Sequence, residues 1–566
     1  MVTSGAAGQG TAELARREFL RVAGAGAVAG LAAACSRNAV RSQPTPSASS
    51  AASTLGSPFA PSSGPPTTKP PGTTRGPGTK SSASTVPPPP TSASAGAPDW
   101  KALQRSLSGT LVRPGQSSYD GAYQLFNPRF DDIRPQGVVR ASNADDVAES
   151  VRFARRYGLR LAVRSGGHCY AGWSAGTGLV VDMRRIEAIS TRSGTASIGA
   201  GARLVDVYQT LAGRGVGIPA GSCPTVGLAG LALGGGIGVL GRAWGLTCDN
   251  VVGAQIVTAD GSLKSIDARH DADLFWAIRG GGGGTFGAVT QLTLRTRPAP
   301  SVATWFLRWP WASAAAVLAG WQRWAPGAAD EVWSTCHLAS APSSELPEVI
   351  VAGTFIGPAS GVDEAIAGLM TAVGSDPFDR SVADHTYAEA MLIEAGCSDK
   401  TYQQCHLAPS GSVVRQAYAA SSDFVNSVLS GRGVSTIVGI VQQRHDTRGV
   451  PDVTVEFDAS GGAINRVSRG ATAFVHRRSV CSVQYIANWY DDTSAAAVRS
   501  ATAWPHATRV RMQPYVSGEA YQNYSDPAIV NWQSAYFGGN YRRLQKVKSA
   551  YDPHNVFAHP QGVLPA

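Results

Sequence analysis

Apolar positions between residues 98 and 300 fall into short runs separated by turn residues, a pattern of alternating helices and strands. Ser142-Asn143 offers an N-cap ahead of Ala144 to Tyr157, where Val147, Val151 and Ala154 share one face and Gly158 ends the run, so this segment predicts a helix. Leu159 to Val163, Leu179 to Met183 and Ala196 to Ala200 predict strands, with Leu204 to Ala212 helical after them. Val251 to Thr258 and Leu263 to Ile266 flank the Asp260-Gly261 turn and predict a hairpin, followed by a helix over Asp271 to Ile278 and a strand over Phe286 to Leu294. The pattern is α/β or α+β, without an internal repeat.

Two N-terminal segments break this pattern. Residues 36–97 are mostly Ser, Thr, Pro, Ala and Gly, including Pro87-Pro88-Pro89-Pro90, and bury too little apolar surface to offset ordering entropy; they predict a disordered spacer. Residues 1–35 carry Arg16-Arg17-Glu18-Phe19-Leu20, a twin-arginine export pattern, ahead of an apolar run from Val22 to Ala34 that is too short for a bilayer core of about 30 Å. Leu31-Ala32-Ala33-Ala34-Cys35 resembles a lipobox, apart from Ala32 where Leu or Val is common. Cys35 would then be lipidated, and the body would be exported by the twin-arginine machinery and either anchored on the outer face of the cytoplasmic membrane or secreted. That route carries folded proteins, often with a cofactor in place.

Of the 566 residues, 49 are Lys or Arg and 39 are Asp or Glu, for a net charge of +10. The spacer holds five of those cations and no acid, so the body beyond it is close to balanced and shows no nucleic-acid footprint. Eight cysteines are present. Cys397 and Cys405 enclose a short loop where export favours a disulfide, and His445, His476 and Cys481 complete no metal-ligand spacing.

Candidate chemistry lies in two glycine-rich loops. The first, Arg164-Ser165-Gly166-Gly167-His168-Cys169-Tyr170-Ala171-Gly172-Trp173-Ser174, follows the Leu159 to Val163 strand, and its paired glycines let backbone N–H groups converge on an anion such as a diphosphate. The second runs from Gly221-Ser222-Cys223-Pro224-Thr225-Val226-Gly227 through Gly230 to Gly234-Gly235-Gly236-Ile237-Gly238, dense enough in small residues to admit a large flat ligand. Gly236-x-Gly238-x-x-Gly241 with Asp260 downstream matches a dinucleotide fingerprint in letters only, because Leu228 to Gly235 lacks the β-branched strand that must precede it.

These loops, together with Asp273-Leu274-Phe275-Trp276, Tyr521-Gln522-Asn523-Tyr524-Ser525-Asp526 and Tyr551-Asp552-Pro553-His554-Asn555, resemble the berberine bridge enzyme-like FAD-linked oxidases of the vanillyl-alcohol-oxidase superfamily, from about Asn127 to Gln561. The resemblance implies an α+β protein. A PCMH-type FAD-binding domain of two α/β subdomains would occupy 98–300, an antiparallel sheet covered by helices 301–514, and a segment returning to the FAD domain 515–566. It implies FAD attached through both His168 and Cys223. The cofactor cradle would comprise Arg164, Ser165, Gly166, Gly167, Cys169 and Gly172 from the first loop, and Gly221, Thr225, Val226, Gly227, Gly230, Gly234, Gly235, Gly236 and Gly238 from the second, with Val289, Asn540 and Tyr541. Cys169 stands where many relatives have Ser.

The resemblance also implies Tyr521 as catalytic base, with Asn523 and Tyr524 as lesser candidates, and Gln484 as a polar group facing the flavin. An ordinary tyrosine titrates near about 10 and needs a stabilising neighbourhood for that role. Val226, smaller than the Leu that can close the oxygen approach in relatives, favours dioxygen as acceptor. The leading expectation is an oxidase of an alcohol or hemiacetal carbon in a sugar, oligosaccharide or glycosylated metabolite that releases hydrogen peroxide. A tailoring enzyme of secondary metabolism, a dehydrogenase with another acceptor, and a flavin-free envelope glycan-binding protein are the alternatives. Trp305, Trp309, Trp311, Trp321 and Trp324 read as core and helix packing ahead of a sugar-stacking platform.

Overall fold

The computed structural model describes residues 96–341, 344–447 and 449–566; the twin-arginine segment, Cys35 and all but the last two residues of the 36–97 spacer lie outside them. Helix Ala144–Arg156 starts where Asn143 accepts a hydrogen bond from the Asp146 N–H at 2.9 Å, and it carries the chain from strand Gly137–Arg140 to strand Leu161–Arg164. Both strands pair in parallel with Leu179–Asp182, and Thr110–Val112 adds an antiparallel edge. All four residues of Leu179–Asp182 are buried, as a strand covered on both faces requires.

A second, antiparallel sheet has the order Ile189–Arg192, Thr195–Gly199, Ala288–Arg295, Val251–Val257, Leu263–Asp267. Two predicted boundaries move for a backbone reason. Asp271 sits at φ +49°, in the left-handed region, so the helix is Ala272–Ala277. Gly287 at φ +157° keeps Phe286 in the preceding loop, and the strand begins at Ala288.

The third sheet is antiparallel with seven strands, in the order Asp379–Thr386, Ser301–Trp309, Glu348–Ile356, Val332–Ser340, Val453–Ala459, Cys481–Trp489, Ala417–Val425. Alternation gives it two unlike faces. One face packs Trp305, Trp309, Phe457 and Tyr485 against helices Ala314–Trp324, Val362–Val373 and Gly431–Asp446. Trp305, Trp309 and Trp321 are fully buried there and Trp311 and Trp324 pack against them, so these indoles are core; burying one large side chain contributes roughly 1.5–3 kcal/mol. The other face is polar and carries His337, Glu456, Gln484 and Ser422 as cross-strand neighbours.

Leu544, Val547 and Phe557, from helix Tyr541–Tyr551 and the stretch of chain after it, join the same apolar core as the first two sheets. Cys397 and Cys405 form a disulfide after helix Tyr387–Glu394. Among the described residues no helix is long and apolar enough to cross a membrane.

Candidate active site

The first glycine loop is closed at its base by Arg164. This fully buried guanidinium donates to the carbonyls of Ala122 at 2.7 Å, Tyr123 at 2.9 Å and Ser174 at 3.2 Å, tying the end of the loop to its beginning. Burial lowers its pKa to about 10, with Asp182 opposing, so it stays a cation. A Cβ on Gly166 would lie 2.2 Å from the Gly227 nitrogen, and one on Gly227 would lie 2.0 Å from Ser165 Oγ. The two loops therefore meet backbone to backbone, a contact that only glycine permits.

Between them lies a cavity lined by Ser165, Gly166, Gly167, His168, Cys169, Gly221, Cys223, Val226, Gly227, Gly230, Val289, Tyr521, Asn523 and Tyr524 from the expected set, and by Tyr170, Trp173, Ser174, Gly281 to Thr285 and His559 beyond it. Among the described residues no Asp, Glu, Lys or Arg lines it. His168 stacks on Phe126 with ring centroids 4.0 Å apart, and its Nε2 is 2.9 Å from Thr225 Oγ1. Burial, reinforced by the Arg203 guanidinium, lowers its pKa to about 3 and keeps the imidazole neutral. Cys223 lines the same cavity.

Several expected cradle residues do other work. Arg164 is the loop tie described above and does not line the cavity. Gly172, at φ +74°, makes room for the Phe130 ring. Thr225 acts through His168. In the second run a Cβ would strike Asn523 at Gly234, Phe474 at Gly235, Thr247 at Gly236 and the Ala220 carbonyl at Gly238, so these glycines admit other protein segments and not a flat ligand. Asn540 donates to the carbonyls of Arg469, Thr472 and Ala473, and Tyr541 packs on Trp532 and Phe537.

The tyrosine block divides its labour. Tyr521 is buried, and its phenolic oxygen accepts hydrogen bonds from Gly236 N–H at 2.8 Å, Asn523 Nδ2 at 2.8 Å and, more weakly, Ile237 N–H at 3.4 Å. Burial raises its pKa and these donors oppose the rise. Tyr524 is half-buried at the cavity wall, edge-on to Tyr521 at 4.8 Å and stacked on Tyr170 at 5.3 Å, and its hydroxyl takes no hydrogen bond among the described residues. Gln484 lies off the cavity, where its amide donates to the Tyr170 hydroxyl at 2.8 Å. It reaches the site through Tyr170.

Behind these rings the polar sheet face holds Glu456 and Asp458. Burial raises the Asp458 pKa to about 6 although Ser482 donates to its carboxylate at 3.1 Å. Glu456 is raised by burial and by the nearby carboxyls of Asp458 and Glu394. Burial raises the Tyr524 pKa, and both carboxyls raise it further, Asp458 more strongly than Glu456.

Residues 135–267 match the FAD binding domain family, and residues 520–564 match the family described as berberine and berberine like. The FAD-linked oxidoreductase YgaK of Bacillus subtilis, itself uncharacterized, is 32% identical over 81% of this chain and 97% of its own length. The chain belongs to the berberine bridge enzyme-like FAD-linked oxidoreductases. Tetrahydroberberine oxidase of Berberis wilsoniae is 28% identical over 76% of the chain and 86% of its own. The solved structure of BBE-like 1 from Physcomitrella patens superposes with a TM-score of 0.74 at 30% identity, covering 82% of this chain and 98% of its own. The α+β fold, with its PCMH-type FAD-binding architecture, is that of the family.

The cavity of this oxidoreductase suits FAD. A Cβ on Gly230 would meet nothing within 4 Å and one on Gly283 nothing closer than 3.9 Å, so a side chain at either would occupy ligand space. Gly282 and Gly284, at φ +94° and +68°, keep the backbone of that wall bare. The Gly280 to Gly284 run was visible in the sequence as a glycine cluster. Asp458, Glu456 and His559 carried no local signal, because strand register and the return of the C-terminal segment bring them to the site, whereas Tyr170 lies within the first glycine loop itself.

Proposed function

We propose that this family member is an exported oxidase that removes hydride from a carbinol or hemiacetal carbon of a carbohydrate or glycosylated metabolite, with dioxygen as acceptor and hydrogen peroxide as product. The observation that carries the reading is the Tyr524 phenol, unheld at the cavity wall and backed by Asp458 and Glu456. Bound FAD supplies the hydride acceptor. Tyr524 takes the proton of the substrate hydroxyl as it passes its own, through a bridging water, to Asp458, a carboxylate above pH about 6. Tyr521 is the anchor: its three donors pin the Tyr521 to Tyr524 segment to the second glycine loop. Tyr170 and Glu456, both part-exposed, offer hydroxyl and carboxyl partners suited to a polyhydroxylated substrate.

His168 is neutral, the nucleophilic form that attachment to a flavin carbon requires, and it would hold the flavin at the first point. Cys223, which lines the same cavity, would hold the flavin at the second point as a thiolate. Val226 lines the same cavity, and its short side chain favours dioxygen as the acceptor. Arg16-Arg17 and Cys35 support export and lipid anchoring.

The test uses the full-length, flavin-loaded chain. Fluorescence that stays with the denatured polypeptide in His168→Ala and in Cys223→Ala, and vanishes only in the double variant, supports two attachments; flavin released from the unaltered chain overturns them. Anaerobic mixing with mono- and oligosaccharides should bleach the flavin, and admitted dioxygen should restore it with peroxide. Bleaching without reoxidation by dioxygen favours the dehydrogenase, and bleaching only by aromatic alcohols favours the tailoring enzyme.

A further inference from the structure

We infer that the Cys397–Cys405 disulfide is a redox latch on the substrate wall, open while the chain takes up FAD and closed once the chain has been exported. The inference rests on the oxidase and export readings above, and it concerns a segment none of whose residues lines the cofactor cavity.

Residues 395–416 join helix Tyr387–Glu394 to strand Ala417–Val425. Among the described residues they hold one short turn of helix, Gln403–Cys405, and a bridge between Leu407 and Val413. Their own core is small: Cys397 and Cys405, both fully buried, pack with Val205, Ala395, Leu392 and Tyr402. His406 Nε2 lies 2.8 Å from the Asp206 carboxylate, a partly exposed contact of the kind that adds little by itself. A segment with so little regular structure and so small a core opens locally at low cost, and the cross-link is what raises that cost.

Both ends of the latched loop meet groups that face the substrate side. Three residues before Cys397, Glu394 is buried close enough to Glu456 for the two carboxyls to repel. Two residues after Cys405, Leu407 packs with Val413, Tyr418 and Ile486 behind Tyr170. The Tyr418 ring meets Tyr170 edge-on at 5.0 Å, and Tyr170 stacks on Tyr524. Order in the loop is thereby passed to Glu456 and Tyr170, the groups offered to substrate. Phe126, which belongs to the same apolar cluster and stacks on His168, is held separately by its N–H on the Gly167 carbonyl at 3.1 Å, so the cofactor side has a support of its own.

A chain that folds and takes up FAD before export does so where thiols stay reduced. Closure outside passes two electrons and two protons from Cys397 and Cys405 to an oxidised dithiol of the envelope or to glutathione disulfide, which leaves as two thiols. Efficient substrate capture, and with it peroxide release, then waits for export.

The experiment uses the full-length, flavin-loaded chain, isolated with its thiols reduced and then oxidised with glutathione disulfide; alkylation and mass report the state of Cys397 and Cys405. The sugar probe is whichever of glucose, N-acetylglucosamine, cellobiose and chitobiose bleaches the flavin fastest. Flavin content should be equal in the two forms, while KM should be about tenfold higher in the reduced form with kcat within about twofold. Cys397→Ala combined with Cys405→Ala should keep the KM of the reduced form and ignore glutathione disulfide. Hydrogen exchange, which needs no substrate, should show residues 417–420 losing protection together with 397–413 when the thiols are reduced.

Equal KM with the disulfide shown open, an exchange change confined to 397–413, or flavin content that follows the thiol state overturns the latch. If the double variant does not fold, the two redox forms of the unaltered chain carry the test. If none of the sugars bleaches the oxidised chain, the substrate reading falls and hydrogen exchange decides the latch by itself.

Discussion

Among the described residues the cavity between the glycine loops is lined without a single Asp, Glu, Lys or Arg, whereas the sheet face behind Tyr170 and Tyr524 holds the half-buried Glu456 and the buried Asp458 within repulsive range of each other, with Glu394 adding to the repulsion on Glu456. On the cofactor side backbone meets backbone, as at Gly166 and Gly227, and polarity comes from fixed N–H groups. On the substrate side polarity comes from groups that titrate. The first region should be intolerant of added volume and indifferent to pH near neutrality. The second should tolerate isosteric change yet respond steeply to pH and to the loss of one oxygen atom.

The largest effect that distinguishes them is expected within the tyrosine block. Tyr524→Phe deletes the phenol assigned as base and should lower turnover about 10²–10⁴-fold, with flavin content unchanged. Tyr521→Phe should instead act on stability. It leaves the buried Gly236 N–H without its acceptor, a cost of about 1–3 kcal/mol. Stopped-flow bleaching and denaturant unfolding on both variants check this, and a reversed result would return the base to Tyr521.

On the cofactor side Gly166→Ala should have the next largest effect. Its Cβ must displace the Gly227 backbone from 2.2 Å, and overpacking of this kind costs about 1–3 kcal/mol. The consequence should be a chain with reduced flavin content and little change in the pH profile of what remains. Gly230→Ala, whose Cβ meets no protein atom, should fold normally and lose flavin all the same.

The same contrast explains what the sequence disclosed. The loops and most elements near them were legible because glycine, turn chemistry and apolar periodicity act locally: helix Leu204–Ala212 and the hairpin strands fall where the pattern put them. The function of individual glycines was not legible. Gly234 to Gly238 look in sequence like Gly166 and Gly167, yet their empty Cβ positions are filled by Asn523, Phe474, Thr247 and Ala220. Nor could sequence spacing distinguish Tyr521 from Tyr524, since only the tertiary approach of Gly236 shows which phenol is already held. Glu456 and Asp458 sit in a strand that reads as ordinary alternation, and pairing with Gln484 and Ser482 gives them a role.

The pH response supplies a third, intermediate effect. Asp458 has a folded pKa raised to about 6, so its carboxylate is present above that pH and lost below it. Turnover should therefore rise about tenfold for each pH unit below 6 and level off above it, and Asp458→Asn should remove that dependence along with part of the rate. Flavin attachment should show no such limb. His168 is lowered to about 3 and is already neutral throughout the same range. Parallel profiles for turnover and attachment would erase the distinction between the two sides.

The smallest expected effect is at Gln484, and it tests whether this residue is a reacting group or a support. Its amide donates to the Tyr170 hydroxyl at 2.8 Å and lies off the cavity, so Gln484→Leu removes one hydrogen bond and leaves the packing volume nearly constant. One such bond contributes about 0.5–1.5 kcal/mol, a change of roughly two- to tenfold. If Gln484 only positions Tyr170, that change should appear in KM, with the pH profile and Tyr524-dependent bleaching preserved, because Tyr170 would sample other orientations while the base stays in place. Gln484→Glu sharpens the point: it exchanges a donor for an acceptor beside Glu456 and should raise the carboxyl pKa values on this face, shifting the activity limb upward without touching flavin content. A loss of bleaching as deep as that of Tyr524→Phe would instead place Gln484 among the groups that meet the substrate.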